Sequence, residues 1–238
     1  MRHFVMLTPI IALAACGSHA DAADDSAQTT RNFPVGAFSA VELSGSDNVH
    51  VVSGKQDSVS ATGPSGVLDR LDIHVEGNRL KITRKRSGWN MNWGRSRGAV
   101  ITVTTPGIDA AALAGSGNLT VDRAGGTAFK GSLAGSGKLL LSDVRVTDLT
   151  LDLAGSGDLS ASGATQNANL SVGGSGDIAA ENLVSQTAKI SLSGSGNVQT
   201  SAKTSATISI AGSGNVTVKG TTNCQISKVG SGDARCLP

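Results

Sequence analysis

Gly-Ser-Gly recurs seven times in the second half of this chain, with its first glycine at Gly115, Gly135, Gly155, Gly174, Gly194, Gly212 and Gly230. The intervals are 20, 20, 19, 20, 18 and 18 residues. A degenerate copy, Gly45-Ser46-Asp47-Asn48, lies upstream with Asp in place of the second glycine. A flexible linker has no reason to keep phase, so this period marks a stacked repeat. The flanks define the unit. Leu43, Leu113, Leu133, Leu153, Val172, Leu192 and Ile210 stand two residues before the first glycine, and Val49, Leu119, Leu139, Leu159, Ile178, Val198 and Val216 four after it. Polar residues such as Asp152, Ser171, Ser191 and Ser209 alternate with the apolar ones. That is period-two patterning on both sides of a corner, hence two short strands per copy.

A unit of about twenty residues cannot bury its apolar side alone, so successive copies must stack. Coils spaced about 4.8 Å apart would place like residues over like, and seven of them would rise on the order of 34 Å. The architecture expected is an all-β parallel β-helix with 18–20 residues per coil and G-S-G corners. Propeller blades need about 40–45 residues, and leucine-rich repeats carry a helical or 3₁₀ return. With 4 Phe, 2 Trp and no Tyr, the core must be built from Val, Ile, Leu and Ala, which suits thin regular layers. The glycines are expected for a tight, repeated turn. A phosphate-binding role is disfavoured, because neither G-x-x-x-x-G-K-[ST] nor G-x-G-x-x-G before a helix occurs. No cofactor is implied.

The residue after G-S-G is polar in every copy: Asn118, Lys138, Asp158, Asp177, Asn197, Asn215 and Asp233, with Asn48 in the early one. An amide ladder of this kind is structural in stacked β architectures. Asp158 and Asp177 would fall on adjacent coils, where two carboxylates repel unless screened, protonated or bridged by a cation. The calcium-binding nonapeptide pattern is absent. No CxxC or Cys/His cluster is present, so no metal site is expected.

Both ends of the chain carry further signals. Arg2 and His3 precede the apolar run Phe4 to Ala15, which reads as a secretory signal over residues 1–15. Leu13-Ala14-Ala15-Cys16 matches a bacterial lipobox, so Cys16 is the expected lipidation site and the protein an exported lipoprotein. Gly17, rather than Asp, resembles outer-membrane sorting. Residues 16–31 are small, polar and acidic, as befits a flexible tether. Cys224 and Cys236 flank Gly230 symmetrically in the inward phase and are expected to form a disulfide closing the last coil. Lys228 stands where earlier coils place Leu or Ile, as a partly solvated end would allow.

The β-helix is expected over residues 32–238, with an irregular first half (32–108) and regular coils over 109–238. In the first half, the strands ending in "NRLKITRK", a Trp-bearing loop and "VITVTTPGIDAAALAGSGNLTV" lead into the G-S-G coils. Together these resemble the head GIN domain family, described as putative autotransporter adhesins, over about residues 32–236. The resemblance implies a right-handed parallel β-helix and an adhesin-like role, and it brings no catalytic residues.

One stretch does not look like scaffold: "RKRSGWNMNWGRSRG", residues 84–98. Arg84, Lys85, Arg86, Arg95 and Arg97, with Arg79 and Lys81 just before, are seven of the twenty basic residues in a chain of net charge only +2. No acidic residue occurs between Glu76 and Asp109, and both tryptophans, Trp89 and Trp93, lie inside. Flat indoles stack on sugar rings, and Arg forks grip carboxylate or phosphate groups. An acidic polysaccharide, lipopolysaccharide phosphate or another envelope component would suit that set. The alternative is a solvated hairpin whose tryptophans cover the end of the helix. Nucleic acid is not an expected partner for an exported chain.

A non-catalytic, adhesin-like envelope lipoprotein therefore leads. A polysaccharide lyase or hydrolase and a purely structural envelope component are the alternatives. Against an enzyme, the folded region has two histidines, His50 and His74, each alternating with aliphatic residues on a strand and so facing solvent.

Overall fold

The computed structural model describes residues 28–85 and 98–238. Eight corners stand in one column, each first glycine lying on its predecessor from Gly115 over Gly45 to Gly230 over Gly212. Gly155 shows why the residue must be glycine. Its φ is +128°, and an added Cβ would collide with the carbonyl oxygen of Gly135. The second glycine, Gly157, is required by contact alone, since a Cβ there would strike the oxygen of Gly137. This close approach lets the corners hydrogen-bond: the amides of Ser156 and Gly157 both donate to Gly135 O at 3.0 Å.

The regular coils comprise β8 (Ala110–Gly115), β9 (Asn118–Val121), β10 (Ala124–Gly135), β11 (Lys138–Gly155), β12 (Asp158–Gly174), β13 (Asp177–Gly194), β14 (Asn197–Gly212), β15 (Asn215–Lys219), β16 (Cys224–Val229) and β17 (Asp233–Leu237). All of these pair in parallel with like residues in register, Leu133 lying between Leu113 and Leu153. The protein is a β-helix of stacked parallel strands, as the repeat period implies. The strands are longer than expected. β11 and β13 run 18 residues from one corner to the next, because hydrogen bonding between successive coils persists around the intervening bend. Register slips at Leu141/Val144 and Ser160/Gly163 absorb that bend.

Leu119, Leu139, Leu151, Leu159, Val198 and Ile208 are at most 1% exposed, so the alternation read from the sequence does set the core. Each such side chain is worth about 1.5–3 kcal/mol of burial. The last coil differs. Ile226 continues the Ile190–Ile208 column yet is 47% exposed, and Lys228 and Val229 are exposed too, because no described residue stacks beyond them. Cys224 and Cys236 are bonded, tying β16 to β17 across the final corner.

The first half comprises β1 (Gln28–Phe33), β2 (Ala40–Gly45), β3 (Asn48–Ser53), β4 (Ser58–Pro64), the single-turn α1 (Ser65–Leu68), β5 (Leu71–Glu76), β6 (Arg79–Arg84) and β7 (Val100–Thr105). β2 and β3 form the first coil and meet directly under β8 and β9, with Leu43 paired to Leu113 and Asn48 to Asn118. The chain then leaves the stack. β4 pairs antiparallel with β1 and β7, and β5 with β6, so this end is not purely parallel. Val67 and Leu68 of α1 are buried within the same core. β1 starts at Gln28, so strand structure reaches into the segment the composition suggests as tether (16–31).

β6 and β7 return to add one more layer, β6 alongside β2 and β7 alongside β3, both parallel. β6 and β7 thus form a layer on the side of the first coil away from β8 and β9. Among the described residues, no helix is long and apolar enough to cross a membrane.

Candidate binding site at the broken corner

Asp47 occupies the position that glycine holds in the regular corners. In those corners the Cβ direction points into the coil beneath: a Cβ on Gly117 would strike the Asp47 backbone itself. Beneath Asp47 lie Arg84, Gly98 and Ala99, the described residues at the two ends of the 84–98 segment, and there its side chain fits. It is 1% exposed. Its Oδ1 accepts the Ala99 amide at 2.9 Å and Arg84 Nη2 at 2.5 Å, and its Oδ2 accepts Arg84 Nε at 2.9 Å. The Asn48 amide in turn donates to Ala99 O at 3.1 Å.

One buried carboxylate therefore grips both ends of the segment, Arg84 on entry and Ala99 on exit. The geometry is the bidentate fork for which guanidinium is shaped. The hydrogen bond to Asp47, more than its charge, holds the Arg84 guanidinium even more firmly protonated than usual. Breaking such a pair by removing one partner costs about 3–5 kcal/mol, because the other charge stays buried. The Gly45 turn keeps its glycine for φ alone, at +144°, with open space around it.

The structure separates the basic residues of this region into two sets. On β6, Arg79 pairs with Glu42 at 3.1 Å, Lys81 with Glu76, and Arg84 with Asp47, so the strand-borne charges are answered within the fold. Lys85 is exposed, its amide donating to Arg70 O at 2.8 Å. Arg86, Trp89, Trp93, Arg95 and Arg97 lie outside the described residues, as do Cys16 and the signal segment. Asp47 is the residue sequence reasoning missed. The signal was available: it is the Asp of the degenerate copy, where seven other copies have glycine.

The Asp158–Asp177 adjacency is real and is relieved from both sides. Lys138 Nζ reaches Asp158 Oδ2 at 2.9 Å, while the Asn197 amide and Nδ2 donate to Asp177 Oδ1 at 2.8 and 2.9 Å. Elsewhere the amide ladder forms, with Asn118 Nδ2 donating to Asn48 and Asn215 Nδ2 to Asn197. His50 pairs with Asp122 at 2.6 Å and His74 with Asp72 at 3.0 Å, each nearly half exposed and on separate strands. No group of three or more His, Cys, Asp or Glu able to hold a metal ion occurs among the described residues.

Comparison with known proteins agrees with this architecture. The family model "Putative auto-transporter adhesin, head GIN domain" matches residues 37–222, which takes in the broken corner and all but the last coil. The structure is similar to that of a "putative adhesin" from Bacteroides fragilis, with a TM-score of 0.81 and 22% identity over 89% of this chain and 97% of that one. A "putative lipid binding protein" from Parabacteroides distasonis gives 0.67 and 23% over 90% and 98%. A "putative adhesin" from Parabacteroides merdae gives 0.64 and 16% over 90% and 97%. At these identities the likeness is one of fold. No curated protein matches the chain. The family description points to an extracellular or envelope protein and to no catalytic activity. With the family model spanning most of the chain, from the corner at Gly45 through the corner at Gly212, the protein belongs to the head GIN domain family of putative auto-transporter adhesins.

Proposed function

We propose that the protein is a non-catalytic, lipid-anchored envelope lipoprotein that binds an acidic polysaccharide or another anionic envelope component through residues 84–98. The carrying observation is the Asp47 clamp. At one corner a carboxylate stands in place of glycine and is buried against both ends of a segment rich in Arg and Trp. The partition of charge supports the same reading, since Arg79, Lys81 and Arg84 are paired internally while the excess lies further along the segment. Trp89 and Trp93 would supply stacking faces, and Lys85, Arg86, Arg95 and Arg97 the anion contacts. Cys16 would carry the anchor after removal of residues 1–15, with residues following it as the tether, on the outer membrane of a Gram-negative cell.

Passage of the chain over an immobilised acidic polysaccharide tests the binding. Retention is expected for the native chain, with earlier salt elution for Trp89→Ala/Trp93→Ala at unchanged melting temperature and no new reducing or unsaturated ends. Equal retention of the double variant would remove the assignment to this segment, and new chain ends would favour a lyase or hydrolase. Membrane fractionation of Cys16→Ala tests the anchor: release to the soluble fraction is expected, and unchanged fractionation would refute it.

A further inference from the structure

On the outer face of the regular coils, the column after the corner is interrupted. From Asn48 to Asn118, from Asp177 to Asn197 and from Asn197 to Asn215, a side-chain amide donates to the neighbouring coil. Between Asp158 and Asp177, which are register partners, two acceptors face each other with no donor between them. Asp158 Oδ2 is taken by Lys138 and Asp177 Oδ1 by Asn197, which leaves one carboxylate oxygen free on each coil.

This gap lies in a shallow groove of about 430 Å³ lined by Lys138, Leu140, Asp158, Ser160, Asp177, Ala179, Asn197 and Gln199, among others. Asp158, Asp177 and Asn197 form one wall. Ser160 and Ala179 are small and make the floor, between Leu140 on one side and Gln199 on the other along the stack. Leu140 is 42% exposed and, with the exposed Ala179, gives the groove an apolar patch. The four coils span on the order of 14 Å at strand spacing.

We infer that this groove is a second binding site, distinct from residues 84–98, and that it takes a glycan bearing amino sugars. The ammonium of such a sugar supplies the donor missing between the free oxygens of Asp158 and Asp177, as a charge-assisted hydrogen bond. Its hydroxyls meet the Asn197 and Gln199 amides and Ser160, and its C–H face lies on Leu140 and Ala179. The two carboxylates outnumber Lys138, so an acidic glycan is repelled here, the reverse of the preference proposed for the basic segment. A bare divalent cation is the poorer occupant. It asks for six to eight oxygens around calcium, and these two exposed carboxylates belong to no larger acidic group among the described residues.

The experiment is an NMR titration of the whole chain with a β-1,4-linked glucosamine tetrasaccharide, a uronate tetrasaccharide and calcium chloride, each alone. Saturable shifts at the amides of residues 138–140, 158–160, 177–179 and 197–199 are expected with the glucosamine tetramer and not with the uronate. Affinity falls about tenfold or more in Asp158→Ala/Asp177→Ala. Asp158→Asn/Asp177→Asn, which completes the amide ladder and keeps the fold, is expected to lose the tetramer as well. Trp89→Ala/Trp93→Ala leaves this binding unchanged, so the two sites succeed or fail separately. Absence of saturable shifts, binding that survives both aspartate variants, or calcium alone saturating the same amides would each overturn the inference.

Discussion

In the corner at Gly155, the direction in which the second glycine would carry a side chain runs into the backbone of the coil beneath. In the corner at Gly45 the same direction runs into the base of the 84–98 segment, where Asp47 finds Arg84 and the Ala99 amide. The two corners share their first turn, their place in the column and their strand register. They differ in what lies below. Where a coil lies below, only hydrogen can stand at that position. Where the neighbouring layer is β6 and β7, the carboxylate meets Arg84 and the Ala99 amide and becomes an anchor. One departure from the corner consensus thus serves as an anchor, because the next layer brings Arg84 to meet it.

Exchanging the residues of the two corners is expected to have the largest effect. Gly157→Asp places a Cβ against Gly137 O and a carboxylate in a corner that offers it no cation. A loss above about 4 kcal/mol is expected, a fall in Tm of roughly 10 °C or more for a domain of this size. A melting curve close to that of the native chain would show that the corners are less tightly stacked than described. The reciprocal change, Asp47→Gly, leaves every glycine corner in place but orphans Arg84 and the Ala99 amide. Because Arg84 is a quarter exposed, the expected cost is about 3 kcal/mol, the lower end for a broken buried pair. Urea unfolding should show an unchanged slope with a lower midpoint, and Arg84→Ala should fall by a similar amount without adding to it.

Cys224→Ser/Cys236→Ser is expected to cost about 2 kcal/mol, near the bottom of the usual range for a native disulfide. The loss should be confined to β16 and β17, whose side chains are already partly solvated, and hydrogen exchange should rise there while β11 to β13 stay protected. A global loss of protection would mean that the last coil supports the whole stack. The smallest effect concerns acid. Hydrogen bonds from Arg145 and Arg235 hold the carboxyls of Asp143 and Asp233 below their ordinary value of 3.8. A depressed folded-state pKa stabilises at pH above the unfolded value, and that contribution disappears as pH falls through the folded one. Both pairs are exposed, so a slight drop in Tm below about pH 4 is expected, flattened in Arg145→Ala/Arg235→Ala. An identical acid limb in that variant would remove these pairs from the account.

What could be read from the chain follows from how local each interaction is. The inward columns were legible because period-two alternation around a fixed corner leaves one arrangement, and Leu151, Leu153 and Leu159 lie where it puts them. The Cys224–Cys236 bond was legible for the same reason, since both residues share the inward phase of one coil. Ile226 carries the same pattern and is nonetheless exposed, because burial needs a coil on each side and alternation does not report the second one. The antiparallel pairing of β4 with β1 and β7 follows from no repeat and so left no periodic trace. Asp47 and Arg84 are far apart in the chain, and only the register of β6 against β2 brings them together. The irregular copy marked the place, while the partner had to come from the fold.

Asp47 anchors both ends of residues 84–98. Native-state hydrogen exchange of the Ala99 amide, read beside the amides of Gly117 and Gly137, tests that anchoring most directly. In the native chain Ala99 should be protected to the level of the glycine corners. In Asp47→Ala its protection should fall by at least about tenfold while Gly117 and Gly137 remain as they were. An Ala99 amide equally protected with and without the carboxylate, or one unprotected in both, would contradict the account.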